Sequence, residues 1–228
     1  DQVIHDVALQ NLPVIFCLDR AGIVGEDGAT HHGVFDIAYL RCIPNMIIYA
    51  PKDEIDLQNI LYTASLGLPH PIAIRYPRGR GKHSNYELKI TNYEFEKIEI
   101  GKAHLLKKGA KTAVLSTGFI ANNVSIALEN LNQPETIAHY DFGFIKPLDE
   151  KLLHEIFSSF ENIITIEDGT IKGGFGSAIV EFASENNYTK PVKILGIPDN
   201  FIEHGTVEEL QKICKIDVKS LENIFLNY

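Results

Sequence analysis

Short apolar runs alternate with amphipathic stretches along most of the chain, and this pattern predicts parallel strands joined by crossover helices. In the first third, three apolar runs predict buried strands: 13–18, 46–49 and 72–75. Between the last two, the stretch 53–65 predicts a helix whose N-cap is Asp53. Another helix is predicted at the start, because four apolar residues share one helical face: Val3, Ile4, Val7 and Ala8.

A second series of the same kind follows residue 100. Its apolar runs predict four strands: 112–116, 136–141, 162–167 and 192–196. The amphipathic stretches among and after them predict five helices: 122–130, 148–158, 174–184, 207–214 and 218–226. The intervening chain is Gly-rich and basic and then polar, which is typical of a linker. The pattern therefore predicts two consecutive α/β domains with parallel or mixed sheets, at 1–80 and 101–228, and a linker at 81–100.

Composition excludes some classes of function. The 228 residues suit one or two domains. The net charge of −9 argues against a nucleic-acid surface, because phosphate binding along a duplex needs a basic face. No apolar run approaches the roughly 20 residues of a membrane helix, and no signal peptide is recognisable. Three separated cysteines in apolar runs predict buried thiols in a reducing cytoplasm: Cys17, Cys42 and Cys214.

The richest candidate site is the 19–35 loop, which follows the first predicted strand. It carries four glycines, which let the backbone turn sharply and approach a ligand. Arg20 lies just past the strand end, where a guanidinium can hold a carboxylate or phosphate through two hydrogen bonds. Asp27 and His31 are four residues apart, so the carboxylate could orient and charge the imidazole. The alternative is a solvated loop with a structural Asp–His pair.

A metal site is a rival interpretation of the same loop. Its two histidines, His31 and His32, are adjacent, so their side chains tend to diverge. No cysteine pair or spaced histidine motif accompanies them. The sequence therefore disfavours a metal centre here.

A second candidate is Arg78, which follows the strand predicted at 72–75. Because the carboxyl ends of parallel strands meet at one edge of a sheet, Arg20 and Arg78 could converge on one phosphate. The alternative is an exposed basic turn.

The third candidate is the Gly-rich stretch 167–177, which lies between a predicted strand and helix. Backbone N–H groups at such a junction could face an anion. The stretch fits the dinucleotide-binding fingerprint only loosely, so tight helix–strand packing is the favoured reason for its glycines. The lone histidines, among them His139, are predicted to be surface residues or satisfied core residues, without chemistry.

Five long stretches together resemble the C-terminal part of the 1-deoxy-D-xylulose-5-phosphate synthases, thiamine-diphosphate enzymes of the transketolase family. They include IAIRYPRGRG and EDGTIKGGFGSAIVEF, and they lie in the right order at 1–46, 72–81, 142–150, 167–182 and 195–206. The resemblance implies a partial pyrimidine-binding domain followed by a transketolase C-terminal-like domain. It implies a homodimeric enzyme that joins pyruvate to D-glyceraldehyde 3-phosphate with loss of carbon dioxide, for isoprenoid and thiamine synthesis.

The resemblance also implies roles for four residues of this sequence. Arg20 and Arg78 match the arginines that hold the acceptor phosphate. Asp27 and His31 match the pair that lines the substrate channel and contacts the acceptor hydroxyls or takes part in proton transfer. Glu26 and His32 receive no role.

The cofactors that the resemblance implies are thiamine diphosphate and Mg²⁺. Their binding motif is absent from this sequence, as is the glutamate that activates the cofactor, which we expect upstream of Asp1. Since the chain starts without methionine in the middle of a predicted helix, we expect an N-terminal part to be missing and the fragment alone to be inactive. The alternative is a non-catalytic α/β subunit or a protein that binds a phosphorylated metabolite.

Overall fold

The computed structural model describes residues 1–79, 81, 94–131 and 135–228, whose strands form two sheets. The first sheet has four strands in the order β1-β3-β2-β7: Ile15–Leu18, Ile72–Arg75, Ile47–Tyr49 and Phe144–Lys146. Strands β1, β2 and β3 are parallel, and β7 is antiparallel to β2. The helical segments in this part of the chain are a π-helical turn at Val3–Ala8, α1 at Asp36–Arg41 and α2 at Glu54–Ser65.

The second sheet has five strands in the order β4-β6-β5-β8-β9: His104–Lys107, Ile137–Asp141, Thr112–Ser116, Asn162–Thr170 and Val192–Ile197. All neighbours are parallel except β4, which is antiparallel to β6. Five helices accompany it: α3 (Ala121–Asn130), α4 (Glu150–Ser159), α5 (Phe175–Glu185), α6 (Val207–Ile213) and α7 (Val218–Phe225). The predicted class, a mixed α/β protein with two sheets and parallel strands, is confirmed.

The two sheets share a hydrophobic core. One continuous cluster of buried side chains includes Ile48 and Ala73 of the first sheet, Leu115 of the second, and Phe142. Burying apolar surface between layers is the main favourable term in folding, so this cluster holds the sheets against each other. The carboxyl ends of β1, β3 and β8 meet at this shared boundary, where the candidate residues lie.

One predicted strand is less buried than expected. Strand β1 pairs with β3 alone among the described strands, so it forms an edge of the sheet, and the side chain of Ile15 is 39% exposed. Cys17 lies on this edge strand and is exposed, as is Cys42. The prediction of buried thiols was therefore wrong for these two cysteines and right for Cys214.

Three elements were not predicted. Helix α1 is only six residues long, and β4 and β7 have four and three residues. Six residues are too few to show a helical period, and β4 is mostly exposed and does not stand out as an apolar run. Strand β7 is notable because it leaves the second series of elements to pair with β2 of the first sheet.

Most of the predicted linker, residues 82–93, lies outside the described residues. Its described end packs along α2: the Glu96 N–H donates to Asn59 Oδ1 (3.1 Å) and the Ile98 N–H donates to Thr63 Oγ1 (2.8 Å). No helix in the described ranges is long and apolar enough to cross a bilayer.

Candidate functional site

The 19–35 loop is closed at its base and tied to strand β3. The Ala21 N–H donates to the carbonyl of Tyr76 (2.9 Å), just past β3, and Gly22 and Gly33 exchange backbone hydrogen bonds of 2.8 and 2.9 Å. Gly22 has a φ of +74°, and a Cβ there would lie 2.7 Å from Asp168 Oδ2 of strand β8. Glycine is therefore favoured at the point where the loop lies against Asp168 of the second sheet.

Arg20 follows β1 as the sequence predicts, and its surroundings are unusual. Its φ of +61° lies in the left-handed region, which is uncommon for residues other than glycine and asparagine. Its guanidinium pairs with the neighbouring Asp19, and the side chain is 42% exposed. Its Nε is shielded from solvent and has no hydrogen-bond partner in the described part of the chain. The residue thus keeps part of its donor capacity for a ligand.

Arg78 also lies where the sequence predicts, just past β3. Its Nη1 donates to Asp27 Oδ2 at 2.5 Å, and the side chain is 55% exposed. A cavity of about 340 Å³ opens beside it, between the two sheets, and Ala21, Tyr76 and Asp168 line it as well. Arg20 and Arg78 therefore follow the ends of two neighbouring parallel strands. Each arginine is paired with an exposed carboxylate. Arg78 lines the cavity, and Arg20 is not among its lining residues.

The predicted Asp27–His31 hydrogen bond is not formed. Asp27 pairs with Arg78, and His31 Nδ1 lies 2.9 Å from Thr30 Oγ1. The cause is local: the Gly28 N–H donates to the Gly25 carbonyl and the His31 N–H to the Gly28 carbonyl, so two consecutive turns separate the side chains. Both residues remain on the loop that carries Arg20.

His32, to which the sequence assigned no role, holds the loop to the second half of the chain. Its Nδ1 accepts from the Val24 N–H (3.1 Å), which leaves Nε2 as the donor to the Glu203 carbonyl (3.3 Å). Within the described ranges, no group of three side chains is placed to hold a metal ion. The adjacent histidines therefore serve the loop separately.

Sequence reasoning missed a buried charge cluster, the guanidinium cluster, which consists of Arg75, Asp36 and Asp168. Arg75 is only 2% exposed. Its Nε donates to Asp36 Oδ2 (2.7 Å), its Nη1 to Asp168 Oδ1 (2.5 Å) and its Nη2 to the Gly33 carbonyl (3.2 Å). Burial opposes the charge on Arg75, but the carboxylates of Asp168 and Asp36 outweigh burial and raise its pKa. The signal in the sequence that could have indicated this cluster is Arg75 itself, a charged residue at the end of an apolar run that predicts a buried strand.

A second cluster, the ammonium cluster, is partly buried and consists of Lys52, Asp53, Asp56 and Asp141. Lys52 Nζ lies 3.7–3.9 Å from a carboxylate oxygen of each aspartate. Burial, followed by repulsion from Asp56, raises the pKa of Asp141 to about 8. Asp141 Oδ1 has no hydrogen-bond partner within the described residues. The cluster joins the loop after β2 to the end of β6.

The Gly-rich stretch 167–177 binds an anion of the chain itself. The Glu167 carboxylate accepts from the N–H groups of Phe175 (2.8 Å) and Gly176 (2.9 Å) at the start of α5. Burial raises the pKa of Glu167 to about 7, against the two backbone hydrogen bonds, which lower it. A Cβ on Gly176 would lie 2.5 Å from Ile194 Cγ2. Tight packing is therefore confirmed as the reason for this glycine, and the helix start is not free for a ligand.

His139 is a satisfied core residue, as predicted. Its Nε2 lies 2.7 Å from Ser116 Oγ, and burial together with the charge of Lys107 lowers its pKa to about 3. Burial therefore favours the neutral imidazole, which the Ser116 hydroxyl pairs within the core.

Comparisons with known proteins agree with this architecture. The profile described as "Transketolase, pyrimidine binding domain" matches residues 1–82, and "Transketolase, C-terminal domain" matches 101–221. Proteins named 1-deoxy-D-xylulose-5-phosphate synthase from Parabacteroides distasonis and Bacteroides thetaiotaomicron are 53% and 52% identical over 97% of the chain. The chain spans about a third (34%) of the length of each.

Among solved structures, the chain is similar to one titled "Split gene transketolase, inactive beta4 tetramer". The TM-score is 0.81 at 24% identity, over 99% of this chain and 69% of that one. A transketolase from Campylobacter jejuni superposes with a TM-score of 0.71 at 21% identity, over 97% of this chain and 32% of that one. These structural likenesses show a shared fold.

Proposed function

Because the chain belongs to the transketolase family, we propose that it is the C-terminal part of an enzyme that condenses pyruvate with D-glyceraldehyde 3-phosphate and releases carbon dioxide. The support is the identity of about 50%, over nearly the whole chain, to proteins named 1-deoxy-D-xylulose-5-phosphate synthase. The chain spans a third of their length, so the proposal concerns a longer protein than this one. Its domains would be a partial pyrimidine-binding domain at 1–80, a linker at 81–100 and a C-terminal domain at 101–228.

The contribution of this chain would be to bind the acceptor aldehyde. Arg20 and Arg78 follow neighbouring parallel strands, and guanidinium groups there can clamp one phosphate between them. Each now pairs with an exposed carboxylate, Asp19 or Asp27, and a dianionic phosphate can replace these partners at modest cost. This strand-end pair of arginines is the observation that carries the proposal. Asp27, once released from Arg78, and His31 would contact the acceptor hydroxyls or move a proton there.

Thiamine diphosphate with Mg²⁺ is the cofactor we propose for the whole enzyme, and it would supply the carbanion equivalent that attacks the aldehyde. The described residues of this chain include no three-residue metal cluster. We therefore assign Mg²⁺ binding to another part of the enzyme and derive no step through the cofactor. We further propose that this chain alone is inactive, that the enzyme is a homodimer, and that it works in the cytoplasm, where its unpaired cysteines stay reduced.

The test is the Arg78→Ala variant of the full-length enzyme in steady-state kinetics. Loss of a charged hydrogen-bond partner costs about 1.5–3 kcal/mol, so the KM for the acceptor should rise by roughly one to two powers of ten. The KM for pyruvate should change little. Arg41→Ala is the matched control, because Arg41 also pairs with a carboxylate, Glu181, but on α1 rather than at a strand end. Equal losses for both substrates would contradict the role of Arg78.

A second candidate is a non-catalytic subunit, or a phosphometabolite-binding protein, that works with a separate N-terminal chain. The likeness to a chain of a split-gene transketolase favours keeping this possibility. The gene sequence before Asp1, compared with the intact mass of the protein, distinguishes the two candidates. A glutamate followed by a phenylalanine-containing helix leading into Asp1 supports the single-chain enzyme, and a start codon directly before Asp1 contradicts it.

A further inference from the structure

We infer that Asp168 of the second sheet is a positioning residue for the acceptor site, acting through Arg75. Resting on the proposed function, this inference assigns to the C-terminal domain control over the geometry of the phosphate-binding arginines. Asp168 and Arg75 lie outside the loop itself, and neither is a residue to which the proposed function gives a role.

The first step is the connection between Arg75 and the loop. Arg75 is the last residue of β3, three residues before Arg78, and its Nη2 donates to the Gly33 carbonyl. That same carbonyl accepts from the Gly22 N–H, which closes the loop behind Arg20. The guanidinium therefore fixes the base of the loop that carries one proposed phosphate ligand, and its own strand leads directly to the other.

The second step is the connection between Asp168 and the loop. Asp168 Oδ1 accepts from Arg75 Nη1, and its Oδ2 lies where a Cβ of Gly22 would come within 2.7 Å. The carboxylate thus accepts from Arg75 on one side and lies close against Gly22, two residues after Arg20, on the other. It also lines the cavity that Arg78 faces.

The third step is that stability alone does not require this arrangement. Replacing a buried ion pair by well-packed apolar residues is often neutral or stabilising, because burying charges costs solvation free energy. A buried guanidinium instead fixes the orientation of its partners, because its planar group donates to two carboxylates and a carbonyl in only one arrangement. Misplacing a binding group by about 1 Å can cost up to 100-fold in rate.

The experiment compares Asp168→Asn with Glu181→Gln in the full-length enzyme. Asp168→Asn keeps the size and one acceptor oxygen but removes the charge that holds Arg75. We expect the KM for the phosphorylated aldehyde to rise about ten-fold, with a change of less than about two-fold in the KM for pyruvate. Glu181→Gln weakens another ion pair that connects the same two parts of the chain, Arg41–Glu181, and should leave both KM values unchanged.

Two further variants keep the test decisive. Gly22→Ala strains the loop directly, because Gly22 has a φ of +74°, and should raise the acceptor KM selectively whatever the role of Asp168, so it is the positive control for a displaced loop. Arg75→Lys keeps the charge but loses the planar group and should also raise the acceptor KM selectively. If Asp168→Asn does not fold, the Arg75→Lys result decides the question. Equal changes in both KM values for Asp168→Asn and Arg75→Lys, or no change, would overturn the inference.

The outcome also separates this inference from the proposed function. If Arg78→Ala leaves the acceptor KM unchanged, the acceptor-phosphate role of the site is wrong. If Arg78→Ala raises the acceptor KM while Asp168→Asn and Arg75→Lys do not, the role of the site stands and the positioning role of Asp168 is wrong.

Discussion

Two charge clusters join the halves of the molecule, one buried around Arg75 and one partly exposed around Lys52, and they differ in how closely the cation approaches its carboxylates. In the guanidinium cluster, Arg75 donates to Asp36 at 2.7 Å and to Asp168 at 2.5 Å. In the ammonium cluster, Lys52 lies 3.7 Å or more from its aspartates. The first cluster has one cation within hydrogen-bond distance of two carboxylates, and the second has one at longer distance from three.

The difference shows what the shape of a cation can do inside a protein. A planar guanidinium reaches several acceptors at once in fixed directions, whereas an ammonium is a compact point charge. Asp53 and Asp56 accept further hydrogen bonds from the chain, whereas Asp141 Oδ1 has none among the described residues, and the pKa of Asp141 is raised to about 8, mainly through burial. The guanidinium cluster joins the two sheets through directed hydrogen bonds, whereas the ammonium cluster changes its charge as Asp141 loses its proton near pH 8.

The largest effect on stability is expected from removing Arg75, the cation of the guanidinium cluster. Arg75→Met should lower the free energy of unfolding by about 3–5 kcal/mol, because it leaves two buried carboxylates without a partner. Urea unfolding of the chain measures this. Arg41→Met, whose partner Glu181 is exposed, is the control and should cost much less. Equal losses in the two variants would mean that burial does not distinguish the pairs.

An effect of comparable size, spread over the pH range, is expected from removing the Asp141 carboxyl of the ammonium cluster. The pKa of Asp141 is raised from about 3.9 unfolded to about 8 folded. Between these values the folded chain holds a proton that the unfolded chain has released, so stability falls as the pH rises from about 4 to about 8. Asp141→Asn should remove this decline, whose steepest slope is about 1.4 kcal/mol per pH unit.

Urea unfolding at pH 5, 6, 7 and 8 measures the difference between Asp141→Asn and the unchanged chain. Glu167, whose raised pKa acts in the same direction, is present in both and cancels. Asp199→Asn, an exposed aspartate, is the control and should leave the slope as it is. Parallel pH curves for Asp141→Asn and the unchanged chain would show that Asp141 titrates normally.

The smallest effect on stability is expected at the exposed pair of the candidate site. Arg78→Ala should change the free energy of unfolding by about 0–1 kcal/mol, because Arg78 is 55% exposed and Asp27 is 34% exposed. The same urea titration measures it. A loss as large as that of Arg75→Met would give Arg78 a structural role and weaken its assignment to a ligand.

Most elements of the fold could be predicted from the sequence because their apolar runs are long enough to show a period. Strand β5 and helix α5 lie within one residue of the predicted bounds. The exposure of β1 could not be predicted, since an apolar run does not tell whether one or two strands will flank it. Strand β7 could not be predicted either, because its three residues pair with a strand far away in sequence.

The positions of the two arginines in the candidate site could be predicted from the sequence, but the hydrogen-bond partners of the site residues could not. Strand-end logic located Arg20 and Arg78, because parallel strands present their carboxyl ends at one edge. The partners of Asp27 and His31 depend on the turns at Gly25 and Gly28, which spacing alone does not reveal. The guanidinium cluster depends on contacts between residues 39 and 93 positions apart in the sequence, which no local pattern carries.

Strand β7 has a consequence for how the protein is made. Tyr49 pairs with Phe144, so 95 residues must be translated after β2 before its outer neighbour exists. At about 5–20 residues per second, this synthesis takes about 5–20 s, and during that time β7 is not available to pair with the outer edge of β2. The first sheet therefore cannot be completed until residues 144–146 have been synthesised, because its fourth strand comes from the second series of elements.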